Sequence, residues 1–152
     1  MKLSNKTRYG IRAVFDIAFH DRGQTSQIRD IAARQDIPPR FLEQIFQDLK
    51  KAGLVTSRRG PKGGYHLTRP ANEIRLGDIV RALEGNVEIS SSTAEESTSA
   101  APPEQEVLET VFRELSERIE ACLDSLTLDD LCQRGEALGL RRGVLRKYTY
   151  VI

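Results

Sequence analysis

The chain has 152 residues, of which 39% are hydrophobic and 30% charged, with 11 glycines and 6 prolines. This composition supplies one ordinary compact unit and argues against fibrous, collagen-like or wholly disordered chains. No apolar run approaches the roughly 18 residues of a membrane span, and the basic N-terminus is not followed by a secretory core, so we expect a cytoplasmic protein with no membrane partner. The two cysteines, Cys122 and Cys132, are too few for a disulfide framework.

Charge is divided unevenly along the chain. Residues 1–85 carry 16 lysines and arginines against 9 acidic residues, whereas residues 86–152 carry 7 against 13. A basic half of this size indicates a polyanionic partner, with nucleic acid as the leading candidate. Taken alone, the same distribution also fits a chain whose charge simply varies between its halves.

The first half of the chain predicts three helices. Apolar residues recur at helical spacing over residues 6–20, and Gly23 ends that helix. Thr25 and Ser26 are the expected N-caps of a short second helix, which ends at the proline pair 38–39. A third helix starts there and places apolar residues at i, i+3, i+4 and i+7. These residues are Leu42, Ile45, Phe46 and Leu49.

A β-hairpin and a fourth helix follow. Two strand-like runs, 54–58 and 65–68, flank a turn rich in glycine and proline. A short amphipathic helix is expected over residues 76–83 and completes a unit that we place at 1–85. The composition then changes, because residues 90–101 read SSSTAEESTSAA, so we expect a flexible loop over 86–103.

An apolar stripe continues for more than twenty residues after Pro103. Such a helix is roughly 35 Å long, and a chain of this size has little left to cover it, so we expect a homodimer. Thr127 is the expected N-cap of a last short helix. Both helices fall within 104–133, and a basic tail occupies 134–152. The predicted dimer interface is Leu108, Val111, Phe112, Leu115, Ile119, Cys122 and Leu126.

Three short helices followed by a basic hairpin predict a winged helix-turn-helix. The fold class is therefore mainly α, with a small β-hairpin wing and a long C-terminal dimerisation helix. The third helix packs with one face and presents the other to a DNA major groove, which accepts one α-helix. A solvated face is the alternative for these residues in isolation, but the following hairpin favours DNA. The side chains left free on this helix are Arg40, Phe41, Glu43 and Gln44.

The hairpin turn places positive charge directly after this helix. Arg58, Arg59 and Lys62 lie within five residues, interleaved with Gly60 and other glycines. Glycine allows close approach to a phosphate backbone, and a narrow minor groove attracts inserted arginine. Additional backbone contacts are expected from Lys6, Arg8, Thr25 and Gln27.

Three stretches resemble the Rrf2 family of bacterial transcription regulators. They are residues 3–10 (LSNKTRYG), 41–45 (FLEQI) and 59–65 (RGPKGGY). The likeness covers about residues 1–85 closely and 104–133 more loosely. It implies a homodimer that binds double-stranded, inverted-repeat operators, usually as a repressor, with a long C-terminal helix between the copies. By this resemblance Glu43 and Gln44 read bases, Arg59 enters the minor groove, and Arg40 and Phe41 line the recognition surface.

The chain departs from the iron–sulfur members of that family. Those members carry three cysteines between the wing unit and the long helix, whereas residues 86–103 here contain neither cysteine nor histidine. Thiolates hold such clusters, so we expect neither cofactor nor metal. Cluster-free relatives respond to a partner protein, to small molecules or to thiol oxidation, which leaves an effector enzyme or a small-molecule ligand as candidate partners.

Cys122 and Cys132 are the candidate redox residues. Cys122 lies on the apolar stripe, where a cysteine most often behaves as a small buried hydrophobe, and its acidic neighbours oppose a thiolate. Cys132 has Arg134 nearby and is the better candidate of the two.

The residues predict no enzyme. His20 and His66 are isolated from any nucleophile or carboxylate cluster, and no phosphate-binding or dinucleotide-binding loop is present in the sequence. The remaining alternative is a winged-helix adaptor whose basic half binds a metabolic enzyme rather than DNA. Steep salt dependence together with preference for one DNA sequence distinguishes a DNA-binding regulator from that adaptor.

Overall fold

A computed structural model describes residues 2–21, 23–89 and 102–142. It confirms a predominantly helical fold with one antiparallel hairpin. Residues 90–101 of the predicted loop 86–103, and residues 143–152 of the predicted tail 134–152, lie outside these ranges. No helix among the described residues has the length and apolar character needed to cross a membrane. The elements are α1 Asn5–His20, α2 Ile28–Gln35, α3 Pro39–Lys51, β1 Val55–Arg58, β2 Gly64–Leu67, a 3-10 turn Ala71–Glu73, α4 Leu76–Glu84, α5 Pro103–Asp124 and α6 Leu128–Ala137.

The start of α2 corrects one prediction. Its N-cap is Gln27, with no side-chain capping bond, rather than Thr25 or Ser26. The hydroxyl of Thr25 instead donates to the carbonyl oxygen of Lys62 at 2.6 Å. The backbone of Ser26 pairs with Tyr65 in the hairpin. Both candidate caps therefore hold the hairpin against the helices, a long-range role that local capping preferences do not encode.

One apolar core joins both halves of the chain. The predicted inward face of α3 is fully buried within it, together with residues of α1, α2 and α4. Leu128 at the start of α6 is also fully buried and belongs to the same cluster. The main chain ties the halves as well, because Leu128 N–H donates to the carbonyl of Ile74 at 2.9 Å and Leu76 N–H to that of Leu126 at 2.8 Å.

The end of α6 corrects a second boundary. The helix continues to Ala137, so residues 134–137 of the predicted tail are helical. Gly139 adopts a φ of 87°, and the N–H of Leu140 donates to the carbonyl of Gly135 at 3.0 Å. This is the left-handed glycine ending that satisfies the last carbonyls of a helix. The signal for it, a glycine after the last helical turn, is present in the sequence.

The hairpin is anchored by one close backbone approach. β1 and β2 are antiparallel, with Val55 opposite Leu67. Beyond this pair, Ser26 N–H donates to the carbonyl of Tyr65 at 2.8 Å, and Tyr65 N–H returns a bond of 2.7 Å. Gly64 has a φ of 152°, and a Cβ built there lies 2.4 Å from the carbonyl oxygen of Ser26. Only glycine permits this contact.

A buried carboxylate links α1 to α2. Asp16 has no solvent exposure and accepts hydrogen bonds from Arg34 at 2.6 and 3.0 Å and from the amide of Gln35 at 2.8 Å. His20 lies 3.9 Å from the same carboxylate, yet burial holds the pKa of His20 below its ordinary value. Removing one partner of such a pair leaves an uncompensated charge inside the protein.

We expect Asp16→Asn to lower the free energy of unfolding by about 3 kcal/mol, because Arg34 loses its partner. Urea denaturation at neutral pH measures the change. Asp30→Asn is the matched control, since Asp30 pairs with Arg29 at 3.7 Å on the exposed side of α2. Equal stability of the two variants would show that the buried pair contributes nothing.

The C-terminal end of α1 carries an unsatisfied carboxylate. Asp21 is the C-cap residue, and its Oδ2 atom is buried without a hydrogen-bond partner among the described residues. Burial raises the pKa of Asp21 to about 6, with Asp16 and Asp30 adding to the effect and Arg34 opposing it. A negative charge is also unfavourable at a helix C-terminus. The ionised form of this side chain therefore destabilises the fold.

Asp21 makes a defined contribution to the pH dependence of stability. Because its pKa in the folded chain, about 6, exceeds the ordinary value of 3.8, the folded state holds more protons between these values. Stability should therefore fall as pH rises from about 4 to about 6. We expect Asp21→Asn to be more stable than wild type at pH 7 by about 1 kcal/mol, after screening of this half-buried group. Thermal melts at pH 4 and 7 check this, because the two proteins should converge at the lower pH.

Candidate nucleic-acid interface

The outer face of α3 is free for recognition. Pro39 starts the helix, and its four apolar residues bury the opposite face completely. The predicted contact residues all lie on the exposed face, near its N-terminal end: Arg40, Phe41, Glu43 and Gln44. Arginine hydrogen-bonds to guanine, glutamine to adenine, and glutamate accepts from the amino group of cytosine. This face therefore exposes three kinds of side chain that can hydrogen-bond to bases.

The hairpin turn presents exposed positive charge beside this helix. Arg58, Arg59, Gly60 and Lys62 are all exposed. Gly60 has a φ of 109°, and Gly63 is enclosed, because a Cβ built there lies 2.4 Å from the carbonyl oxygen of Arg58. The glycines therefore fold the turn tightly and leave the cations on its outside.

The hairpin is fixed to α3 by side chains as well as by the core. The rings of Phe46 and Tyr65 pack with centroids 4.6 Å apart. Lys50 Nζ donates to Ser57 Oγ at 2.7 Å. The hydroxyl of Thr68 donates to the carbonyl of Gly53 at 2.6 Å. Helix and wing therefore form one rigid surface rather than two independent ones.

The remaining predicted contacts occupy different environments. Arg8 is exposed, whereas Gln27 and Thr25 are half-buried at the base of the wing. Lys6 Nζ pairs with Asp48 of α3 at 2.5 Å, and this contact holds the pKa of Asp48 below its ordinary value. Lys6 thus orients α3 through Asp48, while Arg8 is free to contact a phosphate.

Tyr9 of α1 was not among the predicted contact residues, although it is partly buried against the core and also reaches the surface beside α3. Its ring is half-buried and meets that of Phe41 edge-on, with centroids 5.5 Å apart. Together with Asn5, Pro38 and Arg40 it lines a concave surface at the N-terminal end of α3. Helical periodicity alone could not find it, because its position borders both faces of α1.

The long helix α5 has no buried residue within the described chain. Its 22 residues pack mainly against α4. The predicted stripe divides, because Phe112 and Ile119 are half-buried toward the chain itself. Leu126 is half-buried in the connection after α5, which ends at Asp124, so it does not lie on the helix as predicted. The exposed apolar residues of α5 are Val107, Leu108, Val111 and Leu115.

The two cysteines lie in different environments, and the burial of Cys132 is the feature that the sequence did not predict. Cys122 is exposed on the outer side of α5, whereas Cys132 is buried in α6 with 1% exposure. Burial raises the pKa of the Cys132 thiol, and the attraction of Arg142 does not offset this. Cys132 therefore fits a packing role better than a redox role. Sequence neighbours suggested the reverse order, because they do not show which helix face meets the core.

Comparison with known proteins identifies the family. The Rrf2 model, described as an iron-dependent transcriptional regulator, matches residues 3–134. The chain belongs to the Rrf2 family. The transcriptional regulator IscR of Pectobacterium atrosepticum is 38% identical over 140 residues, covering 92% of this chain and 84% of that protein. Two solved structures are similar. T. potens IscR has a TM-score of 0.73 and 36% identity, with 94% of each chain covered. B. subtilis CymR, a global cysteine regulator, has a TM-score of 0.70 and 32% identity, with 88% of this chain and 98% of that chain covered.

Membership of this family makes the chain a transcriptional regulator rather than an enzyme. Rrf2 regulators bind DNA and act as dimers. None of these comparisons supports the alternative of an adaptor for a metabolic enzyme. The exposed apolar side of α5 is consistent with dimerisation, and the polar outer face of α3 beside the basic wing is consistent with DNA binding.

The donor residues of this chain do not fit the iron–sulfur cluster found in some Rrf2 members. Residues 86–103 lack cysteine and histidine, and Cys132 is enclosed in the core. Within the described residues no three histidine, cysteine or carboxylate side chains are grouped to hold a metal ion. Cys122 is exposed but has no second thiol beside it in the described chain. The two cysteines of the chain therefore do not fit a cluster held by the thiolates of one chain.

We expect Val111→Glu to weaken self-association at least about tenfold, because it places a charge in the apolar side of α5 that a second copy would cover. Sedimentation equilibrium measures the association constant. Arg113→Glu introduces the same side chain two residues away at another exposed position and should leave association unchanged. Unaltered association of the Val111 variant would show that this side of α5 is not the interface.

Proposed function

We propose that this chain is a homodimeric regulator, most simply a repressor, that binds an inverted-repeat DNA operator without an iron–sulfur cluster. Such a regulator acts in the cytoplasm, where a bacterial chromosome lies. The observation that carries the proposal is the rigid joint surface of α3 and the wing. Its base-reading side chains and its basic turn are held at fixed separation by the Phe46–Tyr65 and Lys50–Ser57 contacts.

The reading step belongs to α3. Its N-terminal end enters a major groove, where Glu43 accepts from a cytosine amino group and Gln44 pairs with adenine. Arg40 donates to a guanine or to a phosphate at the same end. Phe41, 37% exposed and supported by Tyr9, offers apolar contact to a thymine methyl group.

The wing anchors the protein on the DNA backbone. Arg59 lies at the tip of the turn and enters the adjacent minor groove, where narrow sequences concentrate negative potential. Arg58 and Lys62 contact phosphates, and Arg8 adds a further cation on α1. Phosphate contacts fix the register but carry little sequence information, so specificity rests on α3.

The dimer explains the inverted repeat. A two-fold pair of chains joined along α5 presents two copies of α3, and each reads one half-site. Selection of bound duplexes from a random pool tests the whole proposal. An enriched palindromic motif, bound by two chains, supports it. Binding without sequence preference, or enrichment of a site for one chain only, would overturn it.

We expect Glu43→Ala to relax base preference at one position of each half-site, at a cost of about 1–3 kcal/mol in discrimination. Competition binding against a complete set of single-base operator variants measures this. Glu114→Ala, an exposed substitution on α5, should keep the wild-type preference. Full discrimination by the Glu43 variant would remove that residue from base reading.

We expect Arg59→Ala to weaken binding to operator and to random DNA by similar factors. The slope of log affinity against log salt concentration should fall by about 1, because one cation that displaces counterions from the DNA is lost. Fluorescence anisotropy over a salt series measures both quantities, with Arg113→Ala on α5 as the control. A loss confined to the operator would instead assign Arg59 to base reading.

A further inference from the structure

A cavity of about 460 Å³ lies between the C-terminal end of α1 and the wing. Asp21, Gly23 and Gln24 form one side, and His66 of β2 forms another. The segment from Thr68 to Ala71 and the side chain of Arg142 complete the wall. Its volume is within the range of about 300–1,000 Å³ found for small-molecule sites. No DNA-reading side chain of α3 lines it.

Two residues that line this cavity each have one buried polar side-chain atom without a hydrogen-bond partner among the described residues. These atoms are Oδ2 of Asp21 and Nδ1 of His66, the only two side-chain atoms of this kind in the part of the chain that the structure describes. Both residues line the same cavity although they are 45 positions apart in the sequence. Buried polar groups in native proteins are normally paired, and an exception calls for an explanation.

Asp21 is costly to keep in this position. Its carboxylate is partly desolvated, its Oδ2 is unpartnered, and it stands at the negative end of the α1 dipole. An asparagine here would avoid most of this cost. Residues that reduce stability without a packing role are characteristic of binding sites. The carboxylate is therefore best explained by a cation or hydrogen-bond donor that it receives from outside the chain.

The cavity also offers positive charge and an apolar wall. Arg69 forms a long ion pair with Asp78, at 3.9 Å. Arg142 pairs with Glu136, and its guanidinium lies over the ring of Phe19. A guanidinium has five N–H donors, so each arginine retains donors for a second acceptor. Ile17, Ala18, Leu67 and Pro70 supply the apolar part of the lining. A ligand that satisfies all three features carries an ammonium group, a carboxylate and a small apolar part.

The same cavity borders the DNA-facing side of the wing. A second cleft of about 640 Å³ is lined by Thr25, Gln27, Arg58 and Lys62, which are predicted DNA contacts. The two cavities share three residues, namely Gly23, Gln24 and His66. A ligand held between Asp21 and His66 therefore contacts residues that also line the cleft of the predicted DNA-binding side chains.

We propose that the cavity between α1 and the wing binds a small α-amino acid as an effector. The ammonium group donates to Asp21, the carboxylate accepts from Arg69 and Arg142, and the apolar side chain packs against Ile17 and Leu67. His66 closes the site and transmits occupancy to the wing. The effector role rests on the DNA-binding function proposed above, whereas ligand binding itself does not.

Calorimetry on the full chain without DNA tests ligand binding. Each common L-amino acid is titrated singly at millimolar concentration, and at least one should bind. Its N-acetyl and carboxamide derivatives should not bind, because each lacks one of the two charges. Asp21→Asn should abolish the signal while melting at or above the wild-type temperature. His66→Leu, at the other side of the same cavity, should also weaken binding of the amino acid. Glu73→Gln, exposed on the neighbouring 3-10 turn, is the control and should bind as wild type does.

Binding by none of the amino acids, or equal binding by the acetylated derivative or by the Asp21 variant, would overturn the site. Anisotropy with the selected operator then tests the effector role. The bound amino acid should change operator affinity at least about fivefold in wild type and not in Asp21→Asn. An unchanged affinity in wild type overturns that role. If the protein shows no DNA sequence preference with or without ligand, the proposed function is wrong. The calorimetric test of ligand binding is independent of that outcome, because it uses no DNA.

Discussion

The backbone pair between Ser26 and Tyr65 is the contact on which the functional surface depends. It adds the turn before α2 to the edge of the hairpin and so makes the wing an extension of the helical unit. Gly64 permits the approach, since a side chain there would overlap the carbonyl of Ser26. Without this pair the wing would keep its contacts with α3 but would lose its backbone connection to the turn before α2. A two-stranded hairpin is of marginal stability in water, so each of these attachments matters.

Two carboxylates near the C-terminal end of α1 show how the same residue type occurs in two different environments. Asp16 is fully satisfied by Arg34 and Gln35, and it stabilises the angle between α1 and α2. Asp21, five residues later, has an oxygen without a partner and raises the energy of the fold. Asp16 therefore stabilises the packing of α1 against α2, whereas Asp21 lines the cavity at the base of the wing. They differ both in burial, which is complete for Asp16 and partial for Asp21, and in their hydrogen bonds.

Much of the fold could be predicted from sequence because its signals are local. The spacing of Leu42, Ile45, Phe46 and Leu49 defines α3 and its outer face, and the glycine-rich turn defines the wing. Long-range facts were not predictable in this way. Thr25 and Ser26 look like helix caps until the hairpin is docked on them, and Cys132 looks accessible until α6 is packed on α1. The cavity needs Asp21 and His66 together, and no local pattern brings them side by side.

The packing of α6 against the first half of the chain limits which parts of this protein can be used in fusion proteins. Leu128 and Cys132 fill positions in the interior that residues 1–85 alone would leave open. The pairing of Arg75 with Thr127 also ties the start of α4 to the chain beyond α5. Residues 1–85 therefore do not form a complete folding unit without α6. A fusion that borrows only the N-terminal half would carry an uncovered apolar face, whereas one that keeps α6 must also keep the long helix that leads to it.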